Sequence, residues 1–245
     1  MNQMNRQAHF RGCLLGGAIG DALGAPVEFM SHATIVQRFG AEGLRDFVPA
    51  YGLLGAITDD TQMTLFTGEG LLRAYVRGRM RGISNFKGVT DHAYLRWLET
   101  QGQKAKVDVS RDGWLWDIRE LHHARAPGNT CLSALLAKNR FGELASNDSK
   151  GCGGVMRVAP VGMYMWHRKD SDASLRAFDL GAELAGLTHG HPSGQWPAGV
   201  FAVLVMRALD GVPLRDALPE AKAILRTKNR HEETLAAIEA AEAQA

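Results

Sequence analysis

Ile57-Thr58-Asp59-Asp60-Thr61-Gln62-Met63-Thr64 runs into a segment where Leu65, Leu72 and Val76 share one face of an α-helix. A hydroxyl, two adjacent carboxylates and a second hydroxyl therefore stand at a helix start. Thr58 or Asp59 is placed to accept from the free backbone N–H groups there, and the helix dipole favours both carboxylates. Adjacent carboxylates cannot both cap, however, and a cation would relieve their repulsion. Hard oxygen donors of this kind suit Mg²⁺, Mn²⁺ or Ca²⁺. A simple cap and a cation site are both compatible with these residues.

The same helical spacing continues outward. Leu175, Phe178, Ala182 and Ala185 share a face, and residues 200–209 are apolar almost all round, as in a helix at the centre of a bundle. Period-two alternation is absent. Pro26, Pro49, Ala126-Pro127-Gly128-Asn129, Pro192 and Pro213 mark loops or helix starts. No repeat or linker interrupts the chain. These patterns predict an all-α protein, a single compact domain over residues 1–245 with roughly eight to ten helices.

Composition narrows the function. The 245 residues are 45% hydrophobic and 22% charged, which argues against a disordered or fibrous chain. Lys plus Arg number 28 and Asp plus Glu 26, so the net charge of +2 offers no broad basic face for nucleic acid. The apolar run from Trp196 to Met206 is too short for a bilayer, which needs roughly 20 residues. Cys13 to Ile19 meets Asp21 at once, which spoils a signal-peptide core. Cys13, Cys131 and Cys152 form neither a disulfide framework nor a thiolate zinc site. A cytoplasmic protein without a membrane partner is expected.

Three further segments could carry chemistry. In Gly16-Gly17-Ala18-Ile19-Gly20-Asp21-Ala22-Leu23-Gly24-Ala25-Pro26-Val27-Glu28-Phe29, glycines recur every four residues and predict a smooth helix face for a close neighbour. Packing does not explain Glu28, a carboxylate between Val27 and Phe29 whose pKa is open to tuning. In Ser149-Lys150-Gly151-Cys152-Gly153-Gly154-Val155-Met156-Arg157, glycines precede an apolar helix, so backbone N–H groups could converge on phosphate oxygens. Lys150 and Arg157 are expected to bracket this loop with positive charge. The loop fits neither the P-loop nor the G-x-G-x-x-G spacing. In Thr188-His189-Gly190-His191-Pro192, the two histidines suit a polar loop, and a zinc site would need further ligands. His231-Glu232-Glu233-Thr234-Leu235 lacks the second histidine of H-E-x-x-H.

Taken in order, G-D-A-x-G-A-P-x-E-F at 20–29, T-D-D-T-x-M at 58–63, G-x-G-G-x-M-R-x-A-P at 151–160 and T-H-x-H-P at 188–192 resemble the ADP-ribosylglycohydrolase family. The resemblance runs from about His9 to about Leu209 and implies an all-helical fold, a two-metal Mg²⁺ or Mn²⁺ centre and hydrolysis of the bond joining ADP-ribose to a protein side chain or related acceptor, arginine favoured. By the same resemblance, Thr58, Asp59 and Asp60 match the first metal motif. Glu28 matches the acidic residue of a mobile active-site loop, and Glu28 with Asp60 would be catalytic. Ser149, Gly151, Cys152, Gly153 and Gly154 match the loop that holds the diphosphate and distal ribose, and His189 a ligand-contacting histidine. Cys152 departs from the asparagine of many relatives. The implied partner is an ADP-ribosylated protein or an ADP-ribose-like ligand.

The family's second metal motif, D-x-D-T, has no counterpart here. After Leu209 the aspartates are Asp210 and Asp216. One half of the metal site is therefore expected, in a domain truncated at its C-terminus and completed by a C-terminal segment or another chain. A fragment, a proteolysed product, a shortened relative and a shared site all stay open. So do other readings of function: a silent, crystallin-like ADP-ribose-binding relative, or an immunity protein against an ADP-ribosylating toxin.

Overall fold

The computed structural model describes residues 3–168 and 170–244, leaving Met1, Asn2, Lys169 and Ala245 outside the described residues. In chain order the elements are α1 (Gln3–Gly24), α2 (His32–Phe39), β1 (Pro49–Ala50), β2 (Leu53–Leu54), α3 (Asp59–Arg81), α4 (Phe86–Thr100), α5 (Asn129–Ala137), α6 (Ala159–Met165), α7 (Ala173–Ala185), α8 (Pro192–Leu209), α9 (Leu214–Arg226) and α10 (Glu232–Glu242). The expected all-α architecture is present. The antiparallel pair β1–β2 is a minimal hairpin, turning through Tyr51 and Gly52 with φ of 50° and 78°. Among the described residues no helix is long and apolar enough to cross a membrane.

Helix α8 is the hub. Its almost continuously apolar sequence packs against α6, α7 and α9 and reaches α1 and α10. Close approach depends on glycine: a Cβ on Gly181 of α7 would lie 2.8 Å from the Ala198 carbonyl oxygen of α8. Phe178 of α7 is fully buried where Gly199 of α8 makes room for its ring. Truncating such a ring leaves a cavity worth about 3–5 kcal/mol. A second layer joins α3 to α4, closed over Met63, Phe66, Leu71, Tyr94, Trp97 and Leu98.

Two sequence expectations meet the structure differently. A Cβ at Gly16, Gly20 or Gly24 would touch nothing within 4 Å, so the glycine row of α1 receives no close neighbour among the described residues. On α3, Leu65 packs against the core, but Leu72 and Val76 are 47% and 50% exposed. The α3 core contacts lie on the Met63–Phe66–Gly70–Ala74 side instead, where α4 crosses, and a Cβ on Gly70 would lie 2.7 Å from Thr90 Cα.

Candidate active site

The start of α3 is held by a carboxylate from another helix. Thr58 is the N-cap, extended at φ −107° and ψ −164°, and its hydroxyl accepts from Asp60 N at a long 3.4 Å. Asp21, near the end of α1, supplies what that weak cap lacks. Its Oδ2 accepts from Thr58 N at 2.9 Å, Thr61 N at 3.1 Å and the Thr61 hydroxyl at 2.6 Å. Its Oδ1 accepts from the Thr58 hydroxyl at 2.7 Å. Free helix-start donors are thereby satisfied in trans.

A loop clamps the other side. Asp59 N donates to the Arg125 carbonyl at 3.1 Å, and Gly128 N donates to Asp59 Oδ2 at 2.9 Å. Gln62 Nε2 donates to the His123 carbonyl at 3.0 Å, while Trp97 Nε1 and Gln101 Nε2 both donate to Gln62 Oε1. Asp59 is consequently buried, at 4% exposure, whereas Asp60 reaches the cleft mouth. Asp21, Asp60, Thr61 and Thr64 line a groove of about 250 Å³ with Cys13 and Phe201. The larger cavity of about 580 Å³ beside it, walled by Phe10, Leu14, Leu65 and Trp114, is apolar, and its one carboxylate, Glu69, is paired with Arg96.

The charges in this cleft are unbalanced. Asp59 is pushed up to about 7 by burial, then by Asp60, Glu28 and Asp21, against the lowering bond from Gly128. Asp60 rises to about 6, first through withdrawal from bulk water in the cleft and then through Asp21 and Glu28. Burial and the charge of Asp21 raise Glu28, and burial with Glu28, Asp59 and Asp21 raises the Tyr51 phenol. No cationic side chain is among the charges that act on these groups. Carboxylates and a hydroxyl at the head of one helix fit a hard divalent cation by donor chemistry. Among the described residues, however, no three His, Cys, Asp or Glu side chains converge around one ion position. The donor set is right in kind and incomplete in number.

The glycine loop adjoins this cluster through α5. Thr130 and Ser149 share a hydroxyl hydrogen bond at 3.2 Å, and Thr64 Oγ1 donates to the Met156 carbonyl at 3.2 Å. Cys152–Gly154 form a 3₁₀ turn with the Cys152 thiol exposed. His189 lies beneath it, 1% exposed, its Nδ1 bonded to the Thr188 hydroxyl at 2.9 Å. A Cβ on Gly153 would stand 3.0 Å from His189 Cε1 and 2.9 Å from Cys131 Sγ. Burial and then Arg157 lower His189 to about 4, so the ring is neutral.

Of the two expected positive brackets, Arg157 is turned into the core, whereas Lys150 stays exposed beside the loop. Arg157 is fully buried: it donates to the Leu184 carbonyl at 3.0 Å and the Thr188 hydroxyl at 2.7 Å and stacks over Tyr94. Lys150 pairs with Glu233 of α10 at 2.8 Å. An arginine just after a glycine turn looks like an anion contact in sequence; here the following turn rotates it into the core. His191 caps α8, accepting from Ser193 N at 3.0 Å.

Of the residues singled out in the sequence, Glu28, Asp59 and Asp60 lie close enough for the charge of Glu28 to act on both aspartates, Asp60 lines the groove with Asp21, and the 152–154 turn packs on His189. Sequence reasoning missed Asp21, whose signal was a lone carboxylate on a small-residue helix seven positions before Glu28. It also took Ala126-Pro127-Gly128-Asn129 for punctuation, although Gly128 N holds Asp59. Asp210 and Asp216 do not join the cluster; Asp210 accepts from Trp166 Nε1 at 2.8 Å, and Asp216 sits in the first turn of α9.

The ADP-ribosylglycohydrolase family model matches residues 2–245. An uncharacterized protein of Archaeoglobus fulgidus is 32% identical over 158 residues, covering 63% of this chain and 42% of that protein. ADP-ribosyl-[dinitrogen reductase] glycohydrolase of Rhodospirillum rubrum is 27% identical over 222 residues, covering 87% of this chain and 62% of that protein. The chain therefore spans under two thirds of the length of either relative.

Proposed function

This chain belongs to the ADP-ribosylglycohydrolase family, and we propose that its cleft serves to hydrolyse the N-glycosidic bond between ADP-ribose and a modified protein side chain, arginine favoured, or a related acceptor. The observation that carries the reading is the mutual electrostatic influence of these acids: Glu28 and Asp60 raise Asp59, and Glu28 also raises Asp60. Thr58, Asp59 and Asp60 would hold Mg²⁺ or Mn²⁺. When bound, the cations supply positive charge that fixes ribose hydroxyls and increases the acidity of water in the cleft.

The chain's own residues do the rest. Breaking the bond develops positive charge at the ribose anomeric carbon, so a nearby carboxylate is favourable there. Glu28, exposed on the turn after α1 and raised toward neutrality, takes a proton from the attacking water or helps to protonate the leaving group. Asp60 faces the same space. Ser149, Gly151, Cys152, Gly153 and Gly154 bind the diphosphate and distal ribose away from the reacting bond, with His189 fixing the turn from below. A second cation would need carboxylates from a complementing C-terminal segment or chain, since D-x-D-T does not occur in these 245 residues.

Release of ADP-ribose from ADP-ribosyl-arginine in the presence of Mn²⁺ tests this reading. Turnover that rises when a C-terminal segment of a longer relative is added, and that disappears in Asp60→Ala, is the expected result. Turnover unchanged in Asp60→Ala would overturn it.

A further inference from the structure

Asp21 makes more hydrogen bonds in the cleft than any cation-holding candidate, yet it is directed at the helix start. Its two oxygens accept four donors: Thr58 N, the Thr58 hydroxyl, Thr61 N and the Thr61 hydroxyl. Three of these converge on Oδ2, which leaves that oxygen no spare lone pair for a cation. An ionised carboxylate can only accept, so the two threonine protons must both point at Asp21. For Thr58 this has a chemical consequence. Its proton is committed to Asp21 at 2.7 Å, and one lone pair faces Asp60 N at 3.4 Å, so the other lone pair is free. A hydroxyl can serve a cation only with a lone pair forward and its proton turned away.

Resting on the reading that Thr58, Asp59 and Asp60 hold a divalent cation, we propose that Asp21 is a positioning residue that orients the Thr58 hydroxyl so that oxygen, not hydrogen, is presented to the ion. Two observations separate this from a simple helix cap. Capping requires only the N–H bonds from Thr58 and Thr61, but Asp21 also takes both hydroxyl protons, at the shortest distances of the four. Moreover, Asp21 comes from α1, thirty-seven residues before Thr58, so it ties the turn carrying Glu28 to the helix carrying Asp60.

Asp21→Asn discriminates. The amide oxygen can replace Oδ2 and keep the three donors there, which preserves the cap. The amide nitrogen then faces Thr58 Oγ1 and donates to it, so the threonine proton is displaced toward the cation side. Mn²⁺ binding to the whole chain is followed by the loss of the free-ion EPR signal, with thermal melting as a fold control. Asp21→Asn is expected to weaken Mn²⁺ about 10–100-fold, the range usual for outer-shell partners. Thr58→Val is expected to do the same, and the double variant to be less than about twofold weaker than either single one. Additive losses would mean that Asp21 acts through its charge alone and would overturn the proposal. Should Asp21→Asn not fold, Thr61→Val keeps the charge but removes the 2.6 Å hydroxyl bond that fixes Asp21. A several-fold loss of affinity is then expected, and unchanged affinity counts against positioning. Asp60→Ala separates the two levels: if it leaves Mn²⁺ binding intact, the cation reading fails. If it abolishes binding while Asp21→Asn does not alter it, only the positioning role fails.

Discussion

Asp59 Oδ2 accepts the amide hydrogen of Gly128 at 2.9 Å across a separation of sixty-nine residues. That bond lowers the Asp59 pKa but does not offset burial, so the group stays at about 7. The folded value lies above the ordinary 3.8. Stability from this group is therefore full below the unfolded pKa and is lost as pH rises through about 7. A divalent cation binds the ionised form and should reverse that loss. Melting is expected to rise more on adding Mn²⁺ near about pH 8 than near about pH 5.5. Equal gains at both values would show that the cation does not sit on Asp59.

Glu28 offers a sharper separation of chemistry from stability. Its side chain is exposed on the turn after α1, so Glu28→Gln should leave the melting temperature nearly unchanged. Loss of a proton-transferring carboxylate typically costs about 10²–10⁴-fold in rate. Cleavage of ADP-ribosyl-arginine by the completed enzyme should fall within that range, with little change in KM. A rate within a factor of about three of the parent would remove Glu28 from the reaction.

Helix content was legible because apolar spacing of three, four and seven residues is written directly in α7, and an almost unbroken apolar run in α8. The acidic pair was legible because Thr58-Asp59-Asp60 is contiguous and marks its own helix start. Asp21 and Gly128 were not. Each acts across the fold, through Thr58 and Asp59 respectively, and neither long-range hydrogen bond leaves a local pattern. Arg157 misled for the opposite reason. Its charge suggested an exposed contact, but cation–π stacking on Tyr94 at 4.3 Å and bonds to Leu184 and Thr188 make burial tolerable.

Gly153 is where the 151–154 loop meets the core. A Cβ there would stand 2.9 Å from Cys131 Sγ and 3.0 Å from His189 Cε1. Gly153→Ala should therefore destabilise by about 1–3 kcal/mol, as overpacking does. At Gly151 the nearest atoms, His189 Nε2 and Ser149 Oγ, are 3.4 Å away, so Gly151→Ala should cost less. Adding Cys131→Ala to Gly153→Ala opens one of the two contacts. Chemical denaturation of the double variant should show a loss smaller than the sum of the singles, and strict additivity would mean that Gly153 does not press on Cys131.

Acid stability tests the ring beneath that loop. Burial, then Arg157, holds His189 at about 4, below its ordinary 6.5. At pH values between these, the unfolded chain binds a proton that the native chain refuses. The stabilisation is thus complete above the unfolded pKa and disappears as pH falls toward the folded one, contributing about 1–3 kcal/mol. His92, lowered to about 4 by burial and then by Arg96 and Arg73, acts with the same sign. Asp59 has the opposite sign over nearly the same window, so in the unliganded protein its loss with rising pH offsets part of the gain from the two histidines. Urea unfolding across the acid limb should lose slope in His189→Gln, which cannot take up the proton, although the variant also sacrifices the bond to Thr188 at 2.9 Å. That sacrifice lowers stability at every pH and leaves the slope unaffected, which makes slope the deciding measurement. A variant with the parent's slope would mean that His189 is charged in the native state, and that Arg157 does not hold it neutral.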